Sequence, residues 1–87
     1  MSRQRSMEKI LTSEYVSIGE LVRITGVRYS TLKFYTEEGM LPFEQEEEKL
    51  TRRFPRESAV SRINEIRRLR EQGLSIPEIK NILKTSQ

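Results

Sequence analysis

Apolar residues recur at helical spacing in two short segments that are separated by a single Gly-Val step. The first segment carries one apolar face, made by Ile18, Leu21, Val22 and Ile24. The second segment, near residues 28–38, turns Leu32 and either Tyr35 or Phe34 inward. Two helices joined so closely must turn sharply against each other, which is how a helix-turn-helix presents its second helix to a DNA groove. The pattern therefore predicts a small DNA-binding domain.

The boundaries of these two helices carry their own signals. Ser17 can cap a free backbone N–H at the start of the first helix, while Glu20 reaches back to the N–H of Ser17. Gly26 ends this helix, predicted near residues 18–25, because glycine accepts left-handed backbone geometry without a Cβ clash. Gly39 stops the second helix.

The C-terminal third of the chain predicts two further helices. One lies near residues 57–72 and turns inward the apolar stripe Ala59, Val60, Ile63, Ile66 and Leu69. Ser75 and Glu78 form a second capping box for a helix near residues 76–84, whose apolar face is Ile76, Ile79, Ile82 and Leu83. Gly73 lies in the short link, so we expect the two helices to pack as a hairpin.

Residues 43–54 are too few and too polar to form a domain of their own. A β-hairpin fits this location, with strands near residues 41–43 and 52–54 and the glutamate run at its tip. The acidic residues are Glu44, Glu46, Glu47 and Glu48. Because four carboxylates close to phosphates would repel them, we expect the tip to point away from DNA or to contact another protein.

An ordered series of motifs resembles the DNA-binding domain of the MerR family of bacterial transcription regulators. In chain order, the first matching residues are Ser17-Ile18-Gly19-Glu20-Leu21, Thr25-Gly26-Val27, Thr31-Leu32-Lys33-Phe34-Tyr35 and Glu38-Gly39-Met40-Leu41-Pro42. The later ones are Arg52-Arg53-Phe54, where the family has its wing arginine and aromatic residue, and Arg67-Arg68-Leu69-Arg70, Gly73-Leu74-Ser75 and Glu78-Ile79 in its paired helices. The resemblance spans about residues 16–83, which is most of the chain.

This resemblance implies a mainly α fold, a winged helix-turn-helix with four helices and a short two-stranded β-hairpin wing near residues 42–54. The domain is expected over residues 15–85, after a basic, flexible tail over residues 1–14. The sequence departs from the family where Leu50-Thr51 replaces the usual Gly-Tyr before the wing arginine. Full-length members continue into a long dimerising helix. The sequence stops at Gln87, so we expect either a piece of a longer, homodimeric regulator or a stand-alone member.

Candidate DNA contacts lie at the start of the first helix, along the second helix and on the wing. They are Ser17, Arg28, Tyr29, Ser30, Thr31, Lys33, Tyr35, Arg52 and Arg53. Side chains at the start of the second helix can approach base edges and phosphates together. The resemblance assigns Lys33, Tyr35 and Arg52 to phosphate contacts, and their side chains can all donate hydrogen bonds to phosphate oxygens.

Each of these residues also has an ordinary structural interpretation. Arg28 can be a solvated charge, and Tyr35 can bury its ring in the core with only its hydroxyl in water. Adjacent residues on a strand point to opposite faces, so one of Arg52 and Arg53 can reach DNA while the other packs or pairs with a glutamate. Ser17 can cap its helix and still place backbone N–H groups toward a phosphate.

Composition narrows the classes of function. The 87 residues make one domain, and a net charge of +3 with a pI near 9.5 permits nucleic-acid binding. Histidine and cysteine are absent, so we expect no catalytic site, no metal site and no cofactor. No apolar run reaches membrane-spanning length and no signal-peptide core is visible, so we expect a cytoplasmic, nucleoid-associated protein without a membrane partner.

The function that these patterns favour is sequence-specific binding of double-stranded DNA by a bacterial transcription regulator of MerR type, or by its DNA-binding domain. One alternative is a small excisionase-like, architectural or partition accessory protein with the same winged fold. A second alternative, from a different class, is an adaptor that binds a protein partner through the acidic hairpin.

Overall fold

The computed structural model describes residues 5–45 and 51–85. Within these residues, five helices and two short strands follow one another. The N-terminal half contains α1 (Met7–Thr12), β1 (Tyr15–Val16), α2 (Ile18–Thr25) and α3 (Tyr29–Glu37). The C-terminal half contains β2 (Phe54–Pro55), α4 (Arg56–Glu71) and α5 (Ile76–Thr85). The predicted mainly helical winged helix-turn-helix class is confirmed, and the four predicted helices correspond to α2, α3, α4 and α5.

The turn between α2 and α3 follows from the capping residues. The Ser17 hydroxyl accepts a hydrogen bond from the Glu20 N–H at 3.1 Å, and a Glu20 carboxylate oxygen accepts one from the Ser17 N–H at 2.9 Å. Gly26 caps the other end of α2 with a φ of 75°, a left-handed geometry that favours glycine. The predicted capping box and terminating glycine are therefore confirmed, and α3 begins only three residues after Gly26.

One apolar core joins all the elements. α2 and α3 contribute Leu21, Leu32 and Tyr35, while α4 and α5 contribute Ala59, Ile63, Ile66, Ile79 and Leu83. Phe54 of β2 and the turn residues Met40 and Leu41 complete the same cluster. Of the two aromatic residues proposed for the inner face of α3, Tyr35 is buried and Phe34 is exposed. The core thus fixes which face of α3 remains at the surface.

Helix α1 corrects the expectation that residues 1–14 form a flexible tail. Ser6 caps this helix by accepting a hydrogen bond from the Lys9 N–H at 3.2 Å. Ile10 is completely buried in the common core, and α1 packs against α2. The physical reason is that burial of one apolar side chain and a serine cap both favour docking of this six-residue helix onto the core. The folded domain therefore begins before residue 15.

The two-stranded sheet also differs from the predicted hairpin. β1 pairs with β2 antiparallel, with Val16 opposite Phe54, so the strand before α2 replaces residues 41–43 as the partner. Among the described residues of the wing, Glu44 and Arg53 form a bridge by exchanging backbone hydrogen bonds of 2.7 and 2.9 Å. The predicted glutamate tip at residues 46–48 lies outside the described residues. The sheet therefore anchors the base of the wing to the start of the helix-turn-helix.

The C-terminal hairpin agrees with its sequence signals. The Ser75–Glu78 capping box is present, with the Ser75 N–H donating to the Glu78 carboxylate at 2.8 Å. This contact lowers the pKa of Glu78 from its ordinary value. Gly73 adopts a φ of 91° in the link between α4 and α5.

Within the described part of the chain, every helix is too short or too polar to cross a membrane.

Candidate nucleic-acid interface

A shallow groove runs between the exposed face of α3 and the wing. We call it the α3–wing groove. Its lining residues are Ile18 at the start of α2, Tyr29 and Lys33 of α3, and Gln45, Thr51, Arg52 and Phe54 of the wing and its base. The sequence-predicted contacts that meet here are Tyr29, Lys33 and Arg52. Residues from three separate parts of the chain thus form one surface.

Helix α3 presents Tyr29 and Lys33 to this groove, while Leu32 and Tyr35 hold another face of the helix in the core. Tyr29 is 54% exposed, and Lys33 lies one helical turn further on, so both project from the same side of the helix. Arg28 is the N-cap of α3 and is exposed, with no side-chain hydrogen bond to the helix end. A cation, an aromatic ring with a hydroxyl and a helix N-terminus therefore occur together at the start of α3.

Arg52 is half-buried on the groove side of the wing. Its guanidinium carbon lies 4.9 Å from the centroid of the Phe43 ring, so the aromatic face holds the side chain by a cation–π contact. The Phe43 ring itself packs against Phe54, with 6.0 Å between ring centroids. Arg52 lines the same groove as Tyr29 and Lys33, where a phosphate could accept hydrogen bonds from its guanidinium.

Arg53 has a different environment from its neighbour. Its guanidinium carbon lies 4.6 Å from the centroid of the Tyr15 ring, and it is not among the residues that line the α3–wing groove. The Tyr15 hydroxyl donates a 2.6 Å hydrogen bond to Glu44, which raises the pKa of Tyr15 above its ordinary value. Among the described residues, no ion pair joins Arg52 or Arg53 to a carboxylate. The two arginines therefore stack on different aromatic rings.

Ser17 is committed to the α2 capping box, as its structural interpretation predicted. Glu20, the other member of the box, also forms an ion pair with Arg5 at 2.7 Å. Hydrogen bonds from Arg5, together with those from Ser17, hold the pKa of Glu20 at about 2, well below its ordinary value. Hydrogen bonds and an ion pair thus hold the start of α2 in place. Ile18, the residue after Ser17, lines the groove.

Ser30, Thr31 and Tyr35 lie around a second depression, formed with Phe34, Arg70 and Ile76. The structure therefore does not bring these three residues into the α3–wing groove. Tyr35 is only 7% exposed and packs in the core, which is the packing role that the sequence left open. Its hydroxyl has no hydrogen-bond acceptor among the described residues. Since none of the described side chains has a polar atom that is buried without a partner, the Tyr35 hydroxyl must be accessible at the surface.

The basic residues of α4 are largely occupied by backbone carbonyl groups. Arg67 donates to the Thr25 carbonyl at the end of α2 at 2.9 Å, and Arg62 donates to the Met40 carbonyl at 2.9 Å. Arg70 reaches the Leu74 carbonyl at 3.3 Å. These contacts cap the ends of helices and turns. The cationic side chains of α4 are therefore used in part to hold the fold together.

The sequence did not single out Gln45, Thr51 or Ile18 as interface residues, although they line the groove. In the sequence, Thr51 is distinguished only by its departure from the family pattern, and Ile18 only by its position on an apolar helix face. Their positions depend on how the wing folds back toward α3. That arrangement joins residues far apart in sequence and leaves no local signal.

The fold and the groove together define a winged helix-turn-helix DNA-binding domain. The sequence model described as MerR HTH family regulatory protein matches residues 16–86. The chain therefore belongs to the MerR family of DNA-binding transcription regulators, as its motifs predicted.

Curated relatives include the nodulation protein NolA of Bradyrhizobium elkanii, which is 41% identical over 66 residues, covering 76% of this chain and 30% of the relative. NolA of Bradyrhizobium diazoefficiens is also 41% identical over 66 residues, covering 76% of this chain and 27% of the relative. The similarity thus spans less than a third of each relative's length. No solved structure gives a significant match.

Proposed function

We propose that this domain binds double-stranded DNA sequence-specifically, with α3 in the major groove and the wing against the adjacent backbone. The observation that carries the proposal is the α3–wing groove, where Tyr29 and Lys33 of α3 face Arg52 of the wing. Two cations flanking an exposed helix start form a surface suited to a DNA strand, because phosphates lie on either side of the base edges.

The roles within this surface follow from distance to the helix start. Arg28 and Tyr29 lie at the N-terminal end of α3, which approaches base edges when such a helix enters the major groove. Lys33 lies further along the helix, and Arg52 stands across the groove from it. We therefore assign base reading to Arg28 and Tyr29, and phosphate anchoring to Lys33 and Arg52.

The experiment is to select preferred duplexes from a random pool with the 87-residue chain and then to compare Arg28→Ala with Lys33→Ala on preferred and scrambled duplexes. Arg28→Ala should cost about 1–3 kcal/mol at the preferred site and reduce discrimination between sequences. Lys33→Ala should weaken both duplexes about equally. Circular dichroism checks that each variant folds.

Unchanged sequence preference in a folded Arg28→Ala variant would contradict the assignment of base reading to this arginine. Failure of the selection to enrich any sequence would contradict sequence-specific binding itself. The architectural alternative predicts this second outcome, in which the selection enriches no sequence. The adaptor alternative rests on glutamates outside the described residues, and none of the described contacts favours it.

A further inference from the structure

Arg5 lies outside the residues that the family model matches, yet its guanidinium is fully engaged by the domain. Nε and Nη2 each donate to a separate oxygen of Glu20 at 2.7 Å. Nη1 donates to the Ser13 hydroxyl at 2.9 Å, and Nη2 also reaches the Tyr15 carbonyl at 3.3 Å. This two-point contact with a carboxylate fixes both distance and orientation, which a lysine could not do.

The backbone of Arg5 is held as well. Arg23 of α2 donates a 2.6 Å hydrogen bond to the Arg5 carbonyl. Arg5 is therefore attached to α2 at two points, through its own side chain to Glu20 and through its carbonyl to Arg23. We call Arg5 with Glu20, Ser13 and the Tyr15 carbonyl the Arg5 clamp.

The clamp acts on a carboxylate close to the DNA-binding surface. Glu20 accepts a hydrogen bond from the Ser17 N–H, and the next residue, Ile18, lines the α3–wing groove. A carboxylate without a counter-charge at this edge would repel an approaching phosphate. Glu20 cannot simply be protonated, because the same hydrogen bonds that hold it keep it ionised. Its charge must be cancelled by a partner, and Arg5 is that partner.

We infer that Arg5 is a positioning residue for DNA binding, which neutralises Glu20 and fixes the start of α2 beside the α3–wing groove. The inference rests on the proposed DNA-binding function and extends the functional unit to residues before the family match. The Arg5 clamp also connects α2 to the wing. Tyr15, whose carbonyl belongs to the clamp, pairs through β1 with β2 and stacks with Arg53.

The test compares DNA affinities of four variants of the 87-residue chain at low salt, after circular dichroism has established that each is folded. Arg5→Gln leaves Glu20 without its counter-charge. The matched control is Lys9→Gln, which removes an equal charge from the same N-terminal segment, where Lys9 is exposed and has no ion pair with Glu20. Glu20→Gln keeps a side chain suited to the capping box, and Arg5→Gln with Glu20→Gln removes both charges.

We expect Arg5→Gln to weaken binding roughly threefold to tenfold and Lys9→Gln to weaken it less than about twofold. The double variant should recover to within about twofold of the wild type although it lacks the whole ion pair. A purely structural role for the pair predicts no such recovery. Glu20→Gln alone should bind at least as tightly as the wild type.

The inference is overturned if Arg5→Gln behaves like Lys9→Gln, if the double variant stays as weak as Arg5→Gln, or if folded Glu20→Gln binds more weakly than the wild type. In each of these cases the wild type still binds DNA, so the proposed function stands. A wild-type chain that binds no duplex would overturn both.

Discussion

The guanidinium of Arg53 lies over the ring of Tyr15, with 4.6 Å between its central carbon and the ring centroid. Its neighbour Arg52 instead lies over Phe43, inside the α3–wing groove. The wing thus gives each arginine its own aromatic support. Of these two arginines, only Arg52 shares a groove with Tyr29 and Lys33, so the two adjacent cations lie in different surroundings.

The first prediction separates the two wing arginines. Arg52→Ala should weaken binding to all duplexes about evenly and should reduce the slope of log affinity against log salt by about 1, since one phosphate contact is lost. Arg53→Ala removes the same charge from the same segment and serves as the matched control, with a smaller effect. Fluorescence anisotropy at several salt concentrations measures both. Equal losses in the two variants would show that the stacking partners do not determine which arginine binds phosphate.

The second prediction separates the roles of the ring and the hydroxyl group of Tyr35. Tyr35→Ala should destabilise the domain by about 3–5 kcal/mol, because it opens a cavity where the ring packs in the core. Tyr35→Phe should keep nearly all of that stability but weaken DNA binding by about 1.5–3 kcal/mol, the net value of one hydrogen bond to a charged group such as phosphate. Urea unfolding and binding titrations report the two quantities. If Tyr35→Phe binds DNA like the wild type, Tyr35 is a core residue only.

The third prediction is the acid stability of the domain. The pKa of Glu20 is about 2 in the folded protein because Arg5 and Ser17 hydrogen-bond its ionised form. A lowered pKa means that the ionised carboxylate stabilises the fold above its ordinary pKa, and that this stability is lost as pH falls toward 2. The free energy of unfolding of the wild type should therefore exceed that of Glu20→Gln near neutral pH. The gap should close between about pH 5 and pH 2. A gap that does not change with pH would mean that the Arg5 pair does not stabilise the ionised carboxylate.

The fourth prediction uses the acidic residues of the wing. Replacing Glu46, Glu47 and Glu48 by Gln should strengthen nonspecific DNA binding, because removing three negative charges from the chain lowers its repulsion of phosphates, which salt only partly screens. An adaptor would behave differently, losing capture of a protein partner while its DNA binding stays nearly unaltered. Gel-shift and pull-down assays on this triple variant distinguish the two. No change in either assay would make the glutamates an ordinary solvated loop.

Local signals were sufficient to predict the helix-turn-helix. The Ser17–Glu20 and Ser75–Glu78 capping boxes and Gly26 each act within a few residues, and the structure shows all of them in place. Met7, Ile10 and Leu11 do recur at helical spacing, but the six residues of α1 are too few for that spacing to identify a helix. Its stability comes from docking onto α2, which is a tertiary effect.

The parts of the interface that sequence could not predict all depend on contacts between distant residues. β1 pairs with a strand almost forty residues away in sequence, so the local hairpin pattern predicts the wrong partner for Phe54. The same holds for two other contacts between residues distant in sequence: the ion pair of Arg5 with Glu20, and the stacking of Arg52 and Arg53 on different aromatic rings. Residue types indicated the chemistry of the surface, while the fold determined which cations share it.

The most direct test of the account is a titration of the 87-residue chain with duplex DNA at two or more salt concentrations. The proposed phosphate contacts are few and involve Lys33, Arg52 and the start of α3, so log affinity should fall with log salt at a slope of roughly −2 to −4, near −0.9 for each phosphate neutralised. The selected duplex should bind more tightly than a scrambled one at every salt concentration. Salt-independent binding, or no binding at low salt to any duplex including the selected one, would contradict the claim that the α3–wing groove is a DNA-binding surface.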